Sequence, residues 1–105
     1  MKSNADVVYR DIDSSPALTS TIYKKMEKLH RFSDQITHSR VVLDVPHHHK
    51  QKGNNYRASI ELAVKGNALA VSQDDPSVHV AVREAFAAIE RRLKDTSGRK
   101  KEVRH

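Results

Sequence analysis

The side chains most suited to chemistry are three adjacent histidines that begin at His47, followed by two lysines. Imidazole is a common ligand of zinc and nickel. A metal site needs ligands held at a fixed geometry, whereas neighbouring side chains of an extended segment point to opposite sides. The chain has no cysteine, and Asp44 is the only acid close by in the sequence. We therefore expect no metal site and interpret the stretch as a solvent-exposed connector, whose positive charge increases as the pH falls.

Patterns typical of catalysis are missing from the sequence. No serine, histidine and aspartate arrangement or pair of carboxylates stands out. Three glycines and no cysteine leave no phosphate-binding glycine loop and no thiol nucleophile. We expect a protein that is not an enzyme and that has neither a cofactor nor a small-molecule substrate.

Positive charge dominates the composition. Nineteen Lys and Arg residues face thirteen Asp and Glu residues, which gives a net charge of +6 in 105 residues. A small basic domain attracts polyanions, above all nucleic acid. No apolar run approaches the roughly 18 residues of a membrane span, and the N-terminus lacks a signal-peptide core. We expect a soluble, cytoplasmic protein with no membrane partner.

A first helix positions part of this charge. Ser15 is the predicted N-cap and Pro16 the first helical residue, and the helix is expected to end near Phe32. At about 100° per residue, Lys24, Lys28 and Arg31 fall opposite the apolar stripe and Lys25 lies on its flank. The stripe consists of Leu18, Ile22, Met26 and Leu29.

A second helix carries a further set of cations. Asp75 is the predicted N-cap, Pro76 the first helical residue, and Gly98 the end of the helix. Arg83, Arg91 and Lys94 lie away from its apolar stripe, with Arg92 at the margin. The stripe consists of Val78, Val82, Ala85, Phe86, Ile89 and Leu93. If the two helices pack side by side, the two sets of cations flank one groove.

Period-two patterns predict the strands. "ADVVYRDI" begins as a strand, "ITHSRVVLDV" is rich in β-branched residues, and "YRASIELAV" alternates from Tyr56 to Val64. A turn at Lys65 to Asn67 leads into the strand "ALAVS". The order β-α-β-β-β-α predicts a two-layer α+β domain, in which a four-stranded sheet has both helices on one face and a polar opposite face. We expect one domain over residues 1–97 and a basic disordered tail over residues 98–105.

The five aromatic residues lie mostly on apolar faces of these elements, so single-strand binding by base stacking is not expected. Recognition of the shape and backbone of folded RNA fits the evenly spaced cations better.

The run "KLHRFSDQI" (28–36), followed by "VVLDV", resembles the short ribosome hibernation factors, the hibernation-promoting factor and ribosome-associated inhibitor A family. Members are also grouped as sigma-54 modulation proteins. The resemblance extends over nearly the whole chain, through the same order of elements, the Asp-Pro helix start and the basic tail. The residues that match the K-L-x-R-[YF]-x-D-x-I run are Lys28, Leu29, Arg31, Phe32, Asp34 and Ile36.

The resemblance implies a stress-response translation inhibitor. Such proteins bind the small (30S) ribosomal subunit between head and body, contact 16S rRNA and occupy the path of mRNA and tRNA. When the family's rRNA contacts are carried over by position, they fall on Lys25, Lys28, Arg31 and Arg91. With the helix pattern added, the predicted RNA-binding residues are Lys24, Lys25, Lys28, Arg31, Arg83, Arg91 and Lys94. Further RNA contacts are predicted at His47, His48, His49, Lys50, Lys52, Arg99, Lys100 and Lys101.

Some positions depart from the family pattern. In the second helix His79 stands for a tyrosine, Arg83 for an acid and Ala88 for a lysine, so we expect the contacts of this helix to differ from the family pattern. The sequence has no counterpart of the C-terminal dimerisation domain of the long members. We therefore expect a monomer when free and no pairing of ribosomes through such a domain.

Three other functions stay open at the level of sequence. A general double-stranded RNA-binding module would use the same cations. A metal-dependent enzyme would have to be built on the three histidines. A protein-binding regulator of a sigma factor would follow from the grouping of family members as sigma-54 modulation proteins.

Overall fold

The structure is a computed structural model in which residues 5–45 and 55–103 are described, with side chains as far as Asp95. The elements follow the predicted order β-α-β-β-β-α. They are β1 (Ala5–Tyr9), α1 (Pro16–Phe32), β2 (Ile36–Asp44), β3 (Tyr56–Val64), β4 (Asn67–Asp75) and α2 (Val78–Val103).

The four strands form one mixed sheet in the order β1-β2-β3-β4. β1 and β2 are parallel because α1 connects them as a crossover, whereas the other two pairs are antiparallel. The hairpin between β3 and β4 turns at Gly66, whose φ of 78° lies in the left-handed region that glycine adopts without a steric penalty.

A register shift near the start of β2 decides which residues enter the core. Strict alternation would put Ile36 on the opposite face from Val41 and Leu43. The pairing with β3 is irregular between Ile36 and His38, which is the signature of a bulge. All three apolar side chains are therefore buried on the same side.

The core lies between one face of the sheet and both helices, which confirms the predicted two-layer α+β fold. The apolar stripe of each helix is buried as the spacing predicts, except that Val78 is half-buried. The opposite face of the sheet is polar, with cross-strand neighbours such as Arg40 beside Glu61 and Ser59 beside Ser72.

The ends of α1 are as predicted. The backbone N–H of Leu18 donates to Ser15 Oγ at 3.1 Å, and Pro16 occupies the first turn, where its missing N–H has no cost. At the other end, the backbone N–H of Ser33 donates to the carbonyl of Leu29. The Tyr9 hydroxyl lies 2.7 Å from Thr19 Oγ1 and so joins β1 to the first turns of α1.

The start of α2 differs from the prediction. Asp75 closes β4, and its carboxylate accepts from the backbone N–H of Ser77 at 2.9 Å. Ser77 is the residue that caps the helix, because its Oγ lies 3.3 Å from the Val80 backbone nitrogen that donates to it. The Asp-Pro pair therefore forms the turn before the helix, and the predicted N-cap was placed two residues too early.

The end of α2 also differs from the prediction. The helix continues through Gly98 to Val103, so the helix end predicted at Gly98 is wrong. One glycine inside a helix costs only about 1 kcal/mol relative to alanine. The residues that follow are good helix formers, and cations near a helix C-terminus interact favourably with its dipole. The division into a domain of residues 1–97 and a disordered basic tail over residues 98–105 stays a prediction.

Candidate nucleic-acid interface

The cations of α1 lie on its solvent side. Lys24, Lys28 and Arg31 are exposed and Lys25 is half-buried. Among the described residues, no carboxylate lies within 4.0 Å of the side-chain nitrogens of these four cations. Their positive charges are therefore available to an anionic ligand.

The cations of α2 are exposed but partly paired. Arg83 Nη2 lies 3.9 Å from Glu84, and Lys94 Nζ lies 3.6 Å from Glu90. Arg91 has no carboxylate within 4.0 Å among the described residues. Exposed pairs at these distances contribute little and are screened by salt, so a phosphate can compete with either carboxylate.

A cleft of about 150 Å³ between the helices brings cations from both together. Leu29, Phe86 and Ala87 contribute its apolar lining, and Glu90 contributes an acid. The cations that line it are Lys25, Lys28 and Arg83. The groove between two sets of cations, expected from the helix pattern, is present.

Not every predicted residue borders this cleft. Lys24 lines a larger and more open depression on the other side of α1, together with Tyr23 and Glu27. Arg91 is exposed without lining the cleft, and Arg92 reaches the opposite side of α2, where it donates to the carbonyl of Ala70 in β4. Of the predicted RNA-binding residues, those that line the cleft are Lys25, Lys28 and Arg83, and those that do not are Lys24, Arg31, Arg91 and Lys94.

Two aromatic residues were assigned wrongly from the sequence. Tyr23 is 39% exposed and Phe32 is 44% exposed, although the aromatic residues were expected mostly on apolar faces. The Phe32 ring lies against α2, where Lys94 Nζ is 5.4 Å from the ring centroid. The position of Phe32 at the very end of α1 was the signal that its ring could extend beyond the core.

The other sheet face offers a cation that is already paired. Arg57 donates through Nε and Nη2 to the two carboxylate oxygens of Asp74, at 2.8 Å and 3.1 Å. This hydrogen-bonded pair raises the pKa of Arg57, and the nearby charge of Asp44 adds to the effect. A two-point arginine–carboxylate pair is geometrically specific, so Arg57 is less suited to a phosphate than the cations of α1.

Several predicted contacts lie outside the described part of the chain. The three histidines with Lys50 and Lys52 fall between its two ranges, and the side chains of the basic residues after Gly98 are also outside it. Within the described residues, no group of three or more potential ligands could hold a metal ion. No helix there is long and apolar enough to cross a membrane.

Comparison with known proteins gives a family. Residues 5–101 match the family model described as "Sigma 54 modulation protein / S30EA ribosomal protein". A ribosome hibernation promotion factor of Deinococcus radiodurans is 26% identical over 85 residues, which cover 81% of this chain and 44% of that protein. The chain thus spans less than half the length of this curated relative.

Two solved structures have the same fold. The N-terminal domain of Thermus thermophilus Protein Y matches with a TM-score of 0.73 at 23% identity, over 91% of this chain and 99% of that one. A ribosomal subunit interface protein from Coxiella burnetii matches with a TM-score of 0.75 at 16% identity, over 90% and 97%. Because the family model covers nearly the whole chain, this protein belongs to the Sigma 54 modulation protein / S30EA ribosomal protein family.

Proposed function

We propose that this protein is a ribosome hibernation factor, which binds rRNA of the small ribosomal subunit and blocks translation under stress. The observation that carries the proposal is the convergence of Lys25, Lys28 and Arg83 on one cleft between α1 and α2. Membership of the Sigma 54 modulation protein / S30EA ribosomal protein family and similarity to a ribosome hibernation promotion factor support the ribosome as partner.

The mechanism is obstruction and not catalysis. Lys and Arg side chains that neutralise phosphates release condensed counterions, which supplies sequence-independent affinity. A rigid domain held in this way in the mRNA and tRNA channel would exclude both ligands by volume alone. The proposal needs no cofactor and no small-molecule substrate, places the protein in the cytoplasm with the ribosomes, and has it monomeric when free.

Sedimentation with purified small subunits tests the proposal. The wild-type chain should pellet with the subunits at low salt and be released at high salt. Lys28→Glu combined with Arg31→Glu should abolish the interaction, because both side chains are exposed and among the described residues neither has an acidic partner. Far-UV circular dichroism should show an unchanged fold.

A matched control separates the site from the net charge. Arg10→Glu combined with Lys65→Glu changes the charge by the same amount at exposed positions outside both helices. This control should sediment with the subunits nearly as well as the wild type. Undiminished binding of the Lys28 and Arg31 variant would refute the proposal.

A general double-stranded RNA-binding module is the alternative. It is favoured by one observation: apart from Glu90, the charged groups that line the cleft are cations, which bind phosphates without reading a base. A gel-shift competition between an RNA duplex and small subunits decides between the two. Equal affinity for any duplex favours the general module, whereas preference for the subunit favours the hibernation factor.

A further inference from the structure

We propose that Phe32 is a stacking platform for an unpaired RNA base, at the end of the cleft between the helices. The inference rests on the proposed function, because it adds a base contact to a site proposed to bind rRNA phosphates. It also gives the ligand a class: an unpaired nucleotide, not an intact duplex.

The ring of Phe32 is exposed and lies next to a cation of the neighbouring helix. It is the last residue of α1 and leaves 44% of its surface in solvent, although full burial of such a side chain would be favourable. Lys94 Nζ of the neighbouring helix lies 5.4 Å from the ring centroid, inside the range of about 6 Å for a cation–π contact. The ring therefore contacts a cation of α2 and still leaves part of its surface accessible to a ligand.

The two helices place Phe32 at a distance from the cleft that suits one nucleotide. Lys28, which lines the cleft, precedes Phe32 by one helical turn, about 5.4 Å along the axis. On the other helix, Glu90 lines the cleft and Lys94 follows it by one turn. A phosphate bound at the cleft would thus leave its own base or the next one near the Phe32 ring.

The cation beside the ring supports the same ligand. A nucleotide that stacks on Phe32 also brings a phosphate, and the exposed ammonium of Lys94 lies beside the ring to pair with it. Bases within a duplex are stacked on each other and cannot present a face to a side chain, whereas splayed single-stranded bases can. An aromatic ring beside a cation therefore favours single-stranded segments, loops or ends.

Fluorescence of a short single-stranded RNA that carries one 2-aminopurine tests the inference with the full chain at low salt. Binding to the wild type should change the emission, because stacking alters the environment of the base. Phe32→Leu should weaken binding by about five-fold or more and remove the emission change. Phe32→Trp should retain both the affinity and the emission change of the wild type.

Tyr23→Leu is the matched control, since Tyr23 is similarly exposed on the same helix but lies on the flank away from α2. It should leave affinity and emission unchanged, and an equal loss at Tyr23 would overturn the assignment to Phe32. An abasic probe needs no variant: the wild type should bind it about five-fold or more weakly than the intact probe. Equal binding of the two probes would also overturn the inference.

The two proposals fail in different ways. If the wild type binds the RNA with a salt-dependent affinity that Lys28→Glu reduces, while Phe32→Leu changes neither affinity nor emission, only the stacking role is overturned. If the wild type binds neither the RNA nor the small subunit at low salt, both proposals are overturned.

Discussion

Lys28 of α1 and Arg83 of α2 line the same cleft, although three strands separate them in the sequence. The helices run in the same direction, since Lys25 and Leu29 meet the Arg83 to Glu90 segment while Phe32 meets Lys94 one turn later. Cations from both helices therefore face one ligand position, which is the geometry expected for a phosphate backbone.

The cleft predicts unequal roles for two exposed arginines of α2. Arg83→Glu should weaken RNA binding by about ten-fold, because Arg83 lines the cleft, whereas Arg91→Glu should cost much less. Both substitutions change the net charge equally, so each controls for the other. Filter binding of both variants at several salt concentrations measures the difference. An equal loss would indicate that net charge, and not the cleft, determines affinity.

Glu90 should oppose RNA binding. Its carboxylate lies in the cleft and 3.6 Å from Lys94 Nζ, so it repels a phosphate and partly neutralises a cation. Glu90→Gln should tighten binding by about two- to five-fold, the scale of one exposed ion pair. Titration against subunits or RNA checks this. Glu61→Gln, the same change on the opposite sheet face, should have little effect, and weaker binding of Glu90→Gln would contradict the prediction.

The buried hydroxyl of Ser39 should reduce stability. Ser39 is fully buried in the core, and its Oγ has no hydrogen-bond partner among the described residues. A buried polar group without a partner costs free energy, so Ser39→Ala should raise the free energy of unfolding by about 1 kcal/mol. Urea denaturation measures the change. Ser59→Ala on the polar face should change it by less than about 0.5 kcal/mol, and a marked loss for Ser39→Ala would reveal a missed partner.

The continuation of α2 through Gly98 predicts the effect of an alanine there. Inside a helix, Gly98→Ala should stabilise the segment by up to about 1 kcal/mol. Higher helicity by circular dichroism and slower amide exchange after residue 95 would show this stabilisation. Gly66→Ala is a contrasting control, because the positive φ at Gly66 makes alanine unfavourable although no atom lies within 4 Å of the added Cβ. A loss of helicity at Gly98→Ala would mean that the helix ends there.

Much of the fold follows from local patterns. The strict alternation from Tyr56 to Val64 predicted β3 with its correct bounds, since only one face of the sheet is covered by helices. Ser15 and Pro16 predicted the start of α1, because capping and the missing proline N–H act within a single turn. The start of α2 was misplaced because Asp75 and Ser77 are both good capping residues, and only the path of β4 selects between them.

Sequence alone determined the order of the elements, the buried stripes and the cationic faces of the helices, because helical and strand periodicities are properties of the local backbone. Tertiary packing decided which of those cations share a cleft and that Phe32 stays exposed beside Lys94. It also decided that Ile36 enters the core through a bulge. These features depend on how two helices and a twisted sheet fit together, and no spacing within one segment specifies the contacts that it makes with another.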